Sequence, residues 1–163
     1  MSHLPPNWTC IEVGDFARAA GCGRAQRTGV LVDLPLLRRR FPALHRAHPY
    51  DLYVGHLAHL LPIRDVVVLR CHPVELAHRL ARAHRGTLAD RNANVVAEAI
   101  DLVLREAVGP GRRVWELDTS GRTASDVAVE VGRRLARRGP SRFGRVDWLA
   151  DSRVTDYLLD RTP

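Results

Sequence analysis

Every one of the 25 basic side chains in this sequence is an arginine. Arginine grips phosphate through a planar fork, whereas lysine offers a compact point charge. Neither a lysine nor the pattern G-x-x-x-x-G-K-[ST] occurs in the 163 residues. Gly21-Cys22-Gly23-Arg24 contains glycine but lacks the lysine that reaches β- and γ-phosphates. By itself, therefore, this chain is not expected to act as a P-loop phosphotransferase.

Other residues are placed where phosphate or proton chemistry takes place in many folds. Gly14-Asp15 follows a strand-like run and opens a helical one, a turn that points backbone N–H groups at a phosphate or ribose. A plain turn with Asp15 as N-cap accounts for the same residues. His56 follows a second strand-like run, at the end where parallel sheets bind ligands. It fits equally well as a histidine with a local hydrogen bond. His56 and His59 are three apart and can share a helix face, but no third ligand for a metal stands nearby in the sequence. Arg82-Ala83-His84-Arg85-Gly86 is a basic stretch that reads either as a phosphate clamp or as a solvated loop. Thr119 and Ser120 are turn residues ahead of a helix.

Composition narrows the setting. Three widely spaced cysteines, Cys10, Cys22 and Cys71, form neither a disulfide framework nor a zinc site and are expected to be reduced thiols. The net charge of +7 attracts phosphate-rich partners, or it simply solvates the surface. No apolar run approaches a membrane span, and the start of the chain lacks the pattern of a signal peptide. The cytoplasm and no membrane partner are expected.

The elements that would position these residues alternate between strand and helix, the signature of a parallel sheet covered by helices. Strands are expected at 8–13, 50–54, 65–71 and 114–117, with a short extended piece at 30–32. Residues 24–28 and 84–91 read as loops. Helices are expected at 15–20, 34–45, 73–83 and 92–108, the last with Val96, Ala99, Val103 and Ala107 on one face. A helix from Thr123, capped by Asp126, carries Val127, Val131 and Leu135 and stops at Gly139-Pro140. Asp65–Cys71 is apolar enough to be buried on both faces. Residues 140–163 read as a tail anchored by Trp148 and Tyr157.

Five segments, in order, resemble one family: Val13-Gly14-Asp15-Phe16-Ala17-Arg18, Gly55-His56-Leu57-Ala58-His59-Leu60-Leu61, Val66-Val67-Val68-Leu69-Arg70-Cys71, Asn94-Val95-Val96-Ala97-Glu98-Ala99 and Glu116-Leu117-Asp118-Thr119-Ser120-Gly121-Arg122. They look like the archaeal-type adenylate kinases, the family that includes adenylate kinase isoenzyme 6, a nuclear ATPase and small-subunit ribosome maturation factor. The resemblance covers roughly residues 8–150. It implies a P-loop nucleoside monophosphate kinase-like α/β three-layer sandwich with a parallel sheet. It also implies transfer of the ATP γ-phosphate to AMP with Mg²⁺, ATPase activity, and a small-subunit ribosomal protein or rRNA as partner. By the same resemblance Gly14, Asp15 and Arg18 start an AMP-binding segment of about 14–36, and His56 belongs to a region that positions metal and water. Arg85, in a lid of about 84–94, would clamp the ATP phosphates, with Arg91 as a further basic contact. Thr119, Ser120 and Arg122 would lie against the adenine.

The sequence departs from that pattern in three places. The family opens with a strand, phosphate loop and helix of about 25–30 residues, whereas 12 residues precede Val13 here. The first strand and phosphate-loop helix are thus expected to be missing from residues 1–139, as in a fragment or a late-called start, with Met1–Pro6 as the end of the lost helix. Val54 stands where the family carries an acid on the Mg²⁺ side, and Arg24-Ala25-Gln26-Arg27 replaces an acidic stretch. This chain supports no metal of its own. The alternative is a catalytically dead basic module that binds ribosomal protein or rRNA.

Overall fold

A computed structural model describes residues 8–26, 29–84 and 86–160. The chain divides into two compact units, Met1–Arg64 and Asp65–Pro163. Both are mixed α/β, each has a pair of parallel strands, and together they contain seven α-helices among the described residues.

In the first unit, β1 (Cys10–Glu12) pairs in parallel with β4 (Leu52–Val54), with Glu12 opposite Val54. Helix α1 (Val13–Ala19) follows β1 without a linker. The expected strand over 8–13 stops at Glu12 because the Glu12 carboxylate accepts from the Gly14 and Asp15 amides and starts the helix there. Glu12, not Asp15, is therefore the N-cap. Residues 24–26, expected as loop, belong to β2 (Gly23–Gln26), which forms an antiparallel hairpin with β3 (Gly29–Val32). Arg27 and Thr28 lie outside the described residues. Helix α2 (Leu34–Ala47) is capped by Asp33 and has Pro35 in its first turn, where a missing N–H costs nothing. Its Leu37 and Phe41 are buried with Val13, Phe16, Ala17 and Leu61. Phe16 meets Phe41 and Tyr53 edge-on, with centroids 5.9 and 5.2 Å away, a geometry aromatic quadrupoles favour.

In the second unit, β5 (Asp65–Arg70) pairs in parallel with β6 (Arg113–Asp118) over six residues. Burial alternates along β5: Val66, Val68 and Arg70 are buried, while Leu69 is half exposed. The expectation of two apolar faces therefore fails within this unit, which buries the Val66–Val68 face against Val114, Leu104 and Ala107. Helix α3 (Pro73–Arg82) starts at Pro73, as a strand-to-helix turn favours. The expected loop of 84–91 ends early. Thr87 and Asp90 form a reciprocal capping box, so α4 runs Leu88–Ala99. The single helix expected over 92–108 is broken at Asp101, which takes a left-handed backbone (φ 60°), and α5 (Leu102–Ala107) restarts in a new phase. The phase change moves the buried positions to Val95, Ala99, Leu104 and Ala107 and leaves Val96 45% exposed. Helix α6 (Ala124–Arg137) has the expected Thr123 cap and buries Val131. The tail is not irregular: a 3₁₀ turn at Trp148–Ala150 leads into α7 (Ser152–Leu159).

Candidate functional site

Gly14, Asp15 and His56 lie at the C-terminal ends of β1 and β4, and Thr119, Ser120 and Arg122 at those of β5 and β6, each set within its own unit. At the end of β1 and β4, Gly14 is buried and Asp15 exposed. The Gly14 N–H donates to the Glu12 carboxylate at 2.6 Å and the Asp15 N–H at 3.2 Å. The amides expected to face a phosphate or ribose are thus already held by a carboxylate. Asp15 accepts from Arg18 at 2.9 Å, one helical turn on, and both side chains are exposed. Gly55 follows β4 with φ 126°, a conformation only glycine adopts without strain. A Cβ there would stand 2.5 Å from Glu12 Oε1. The turn delivers His56 to the surface, whereas His59 in the next turn is buried.

Mg²⁺ takes hard oxygen ligands, chiefly carboxylates, phosphates and water. At this edge Glu12 is committed to two amides, Asp15 to Arg18, and Val54 offers no oxygen. The donor set does not fit a Mg²⁺ site held by the protein alone. Among the described residues no group of three or more His, Cys, Asp or Glu is placed to hold a metal ion.

At the end of β5 and β6 the loop 118–122 is tied down by hydrogen bonds. Thr119 is buried: its N–H and its hydroxyl both donate to the Arg70 carbonyl, at 2.8 and 2.7 Å. The Ser120 hydroxyl donates to Asp118 at 2.6 Å and accepts the His72 N–H at 2.8 Å. Glu75 accepts the Gly121 N–H at 3.0 Å and the Arg79 guanidinium at 2.5 Å, and Arg79 also donates to the Thr119 carbonyl. Burial works to raise the Glu75 pKa, but the Gly121 amide and Arg79 outweigh it and hold the carboxyl below its ordinary value. Arg122 reaches the Asp118 and Asp126 carbonyls at 3.4 Å. Arg91 is half-buried near the start of α4, and Arg85 lies outside the described residues.

Beside this loop lies an open cavity of about 910 Å³, lined by His72, Val74, Glu75, His78, Ala81, Arg82, Ser120 and Arg153. Val74 and Ala81 give it apolar wall, His72 and His78 contribute imidazoles, and the Arg82 and Arg153 guanidiniums outnumber the Glu75 carboxylate, which Arg79 and the Gly121 amide hold. Such a mixture of apolar wall, imidazole and guanidinium suits a ligand that combines a ring with anionic groups. The cavity brings Ser120 together with α3 and with α7, whereas Thr119 faces into the protein.

Behind the cavity, Arg70 is 1% exposed. Its Nε donates to Glu98 at 2.7 Å, its Nη1 to Glu116 at 2.5 Å, and its Nη2 to Asp101 and to the Glu98 carbonyl. Burial opposes the charge, but the bonds and charges of Glu98 and Asp101 win and hold the guanidinium pKa above its ordinary value. Glu98 Oε1 also accepts from the Cys71 amide and from Trp148 Nε1. This hub fixes where β5 ends and α3 begins. The sequence signal for it was a charge at the end of an apolar strand, and it carried no hint of its three partners.

No model of a known protein family matches the chain. Related proteins do. A protein of Thermococcus onnurineus, provisionally named adenylate kinase, is 39% identical over 152 residues, covering 91% of this chain and 82% of its own length. Its namesake in Pyrococcus furiosus is 41% identical over 139 residues, 85% of this chain and 76% of that protein. The one in Methanosarcina acetivorans is 36% identical over 143 residues, 76% of this chain and 73% of that protein. The chain belongs to this archaeal adenylate kinase family. Its α/β strand pairs and helices are consistent with a P-loop kinase-like fold. No helix among the described residues is long and apolar enough to cross a membrane. Three residues of the cavity, His72, His78 and Arg153, were not legible as site residues: His72-Pro73 read as a strand-to-helix turn, His78 as part of a helix, and Arg153 as part of a tail.

Proposed function

We propose that this chain is the nucleotide-binding part of an adenylate kinase, and that on its own it binds adenine nucleotide without turning it over. The observation that carries the reading is the cavity at the ends of β5 and β6, with its imidazoles, guanidiniums and Ser120, in a member of the adenylate kinase family. In this reading residues 1–139 are the kinase domain. ATP lies along the second unit, its adenine against the loop of Ser120 and Arg122, which the buried Thr119 pins to β5, and its phosphates toward Arg85 and Arg91 of the lid at about 84–94. In the first unit, the segment of about 14–36 with Gly14, Asp15 and Arg18 is the AMP segment, and since Glu12 holds the Gly14 and Asp15 amides the exposed Arg18 side chain is its phosphate contact; His56 serves to orient water or metal. When bound, Mg²⁺ comes in with the ATP phosphates and screens their charge. The whole reaction transfers the γ-phosphate from ATP to AMP, or to water as an ATPase. Without a lysine for the β- and γ-phosphates, the chain lacks the charge that this transfer requires.

Titration calorimetry with ATP and with AMP, beside a coupled assay for ADP formation, tests the proposal. ATP is expected to bind with a Kd below about 1 mM, the upper end of ordinary enzyme substrate affinities, and ADP is expected to stay at background. A Ser120→Trp variant, which puts an indole into the cavity lining, should lose ATP. ADP formation above background would refute the claim that the chain is inactive on its own, and no heat with ATP would refute the nucleotide site.

A second reading, a basic module that docks on ribosomal protein or rRNA, draws on α2. Arg38, Arg39, Arg40 and Arg46 are exposed there, and the helix holds no acidic residue. Arg39 and Arg46 lie two turns apart on the outer face, about 10 Å along the axis. Salt-sensitive RNA binding that Arg39→Glu abolishes would favour it.

A further inference from the structure

The cavity of the second unit is lined mostly from α3 and the loop after β6, and one further wall comes from the tail, beyond every segment that carries the family resemblance. That wall is Arg153, from the first turn of α7. We infer that Arg153 is a phosphate-binding residue of the nucleotide cavity, brought there by the C-terminal helix and held in place by Asp151 and His72. The inference rests on the nucleotide reading above.

Three observations carry it. First, the guanidinium is held by one edge only. Asp151 takes Nε at 3.0 Å through Oδ1 and Nη2 at 2.5 Å through Oδ2. Nη1 has no hydrogen-bond partner among the described residues, although the side chain lines the cavity and is 75% exposed. A fork fixed along one edge presents its remaining donors in a set direction, so less freedom is lost when an anion binds.

Second, the clamp is anchored to the cavity floor. Asp151 Oδ2 lies 3.3 Å from His72 Nε2, and His72 sits in the turn between β5 and α3, where its own N–H binds Ser120. The His72 ring also meets Trp148 edge-on at 5.3 Å. Trp148 in turn donates to Glu98, which holds the buried Arg70. The 3₁₀ turn and α7 are therefore fastened to the strand ends through side chains with defined partners. Third, the cavity's other guanidinium, Arg82, comes from the far end of α3. Arg82 and Arg153 thus approach the cavity from two separate elements. Two forks set apart in this way suit a ligand with several phosphate oxygens better than one with a single charge.

The test compares ligands that share a base and differ in charge. ATP and adenosine are titrated into the full chain and into Arg153→Ala, Arg153→Lys and Asp151→Asn variants, with circular dichroism and thermal melting to confirm that each variant folds. Arg153→Ala is expected to weaken ATP about tenfold or more and to leave adenosine unchanged, since a charge-assisted contact is worth about 1.5–3 kcal/mol. Arg153→Lys, which keeps charge but loses the fork, should fall between. Asp151→Asn should weaken ATP as well, because an unclamped guanidinium regains its rotamers. Equal losses for ATP and adenosine, or no loss with either, would overturn the role of Arg153 while leaving the nucleotide site standing. If the unaltered chain binds neither ligand, the nucleotide reading and this inference fall together.

Discussion

Arg70 offers the most exacting test of how the second unit is held together. Replacing it with methionine keeps most of its volume and removes its charge. The three carboxylates it pairs with, Glu98, Asp101 and Glu116, stay behind, and the side chains of Glu98 and Glu116 are only 13% and 3% exposed. Removing one partner of a buried ion pair costs about 3–5 kcal/mol, mostly for the charge left unpaired. Here three acids share one cation, so the upper part of that range is expected. Domain stabilities are about 5–15 kcal/mol in total, so the loss is large enough to measure easily. Urea unfolding followed by tryptophan fluorescence is the assay, since Trp115 and Trp148 both lie in this unit and Trp148 stacks at 5.9 Å from the Arg70 guanidinium. With a slope of about 2 kcal/mol per M, the midpoint should drop by about 2 M. Arg70→Lys should lie between, because one ammonium cannot span three carboxylates held by a planar fork. Replacing Glu116 with glutamine in the methionine variant should return part of the loss, since one stranded charge is gone. A midpoint shift below about 0.3 M for Arg70→Met would refute the view that this charge network is a structural hub.

Three further outcomes follow from particular contacts. Gly55→Ala should destabilise the first unit by about 1–3 kcal/mol, the cost of a strained backbone residue, because its φ is 126° and its Cβ would meet Glu12. Gly109→Ala, which meets nothing within 4 Å, is the control, and equal midpoints for the two would sink the argument. Burial pushes the Cys71 thiol up to about 11, and Cys10 is exposed, so a thiol reagent at pH 8 should label Cys10 first, as peptide mass mapping can show. The Arg153 guanidinium, with help from the Arg153 amide and His72, holds the Asp151 carboxyl far below its ordinary value. A depressed carboxyl stabilises the folded state above its unfolded pKa of about 3.9 and loses that contribution as pH falls further. Asp151→Asn should therefore lower the melting temperature at pH 7 and converge with the unaltered chain in strong acid.

Much of this protein was legible in the sequence because it is written in local chemistry. A valine-rich run made β5 recognisable and Val114-Trp115-Glu116-Leu117 made β6 so, Pro73 marked the start of α3, and Thr123 with Asp126 marked that of α6. The five ordered segments pointed to the adenylate kinase family, and the relatives bear that out. One departure was local: Glu12 took the cap expected of Asp15 because its longer carboxylate reaches the amides two and three residues on. Other features were decided by contacts between residues far apart in the chain, which no window of sequence contains. The helix expected over 92–108 broke at Asp101, whose carboxylate is a partner of Arg70, 31 residues away. Arg153 reached the cavity only because His72 and Trp148 fasten the tail across 79 and 50 residues of sequence. Sequence by itself determined the parallel strands, most of the helices, the family and the absence of lysine. Tertiary structure alone decided which charges are buried together and which arginine lines the cavity, because burial and pairing depend on neighbours that only the folded chain brings within reach.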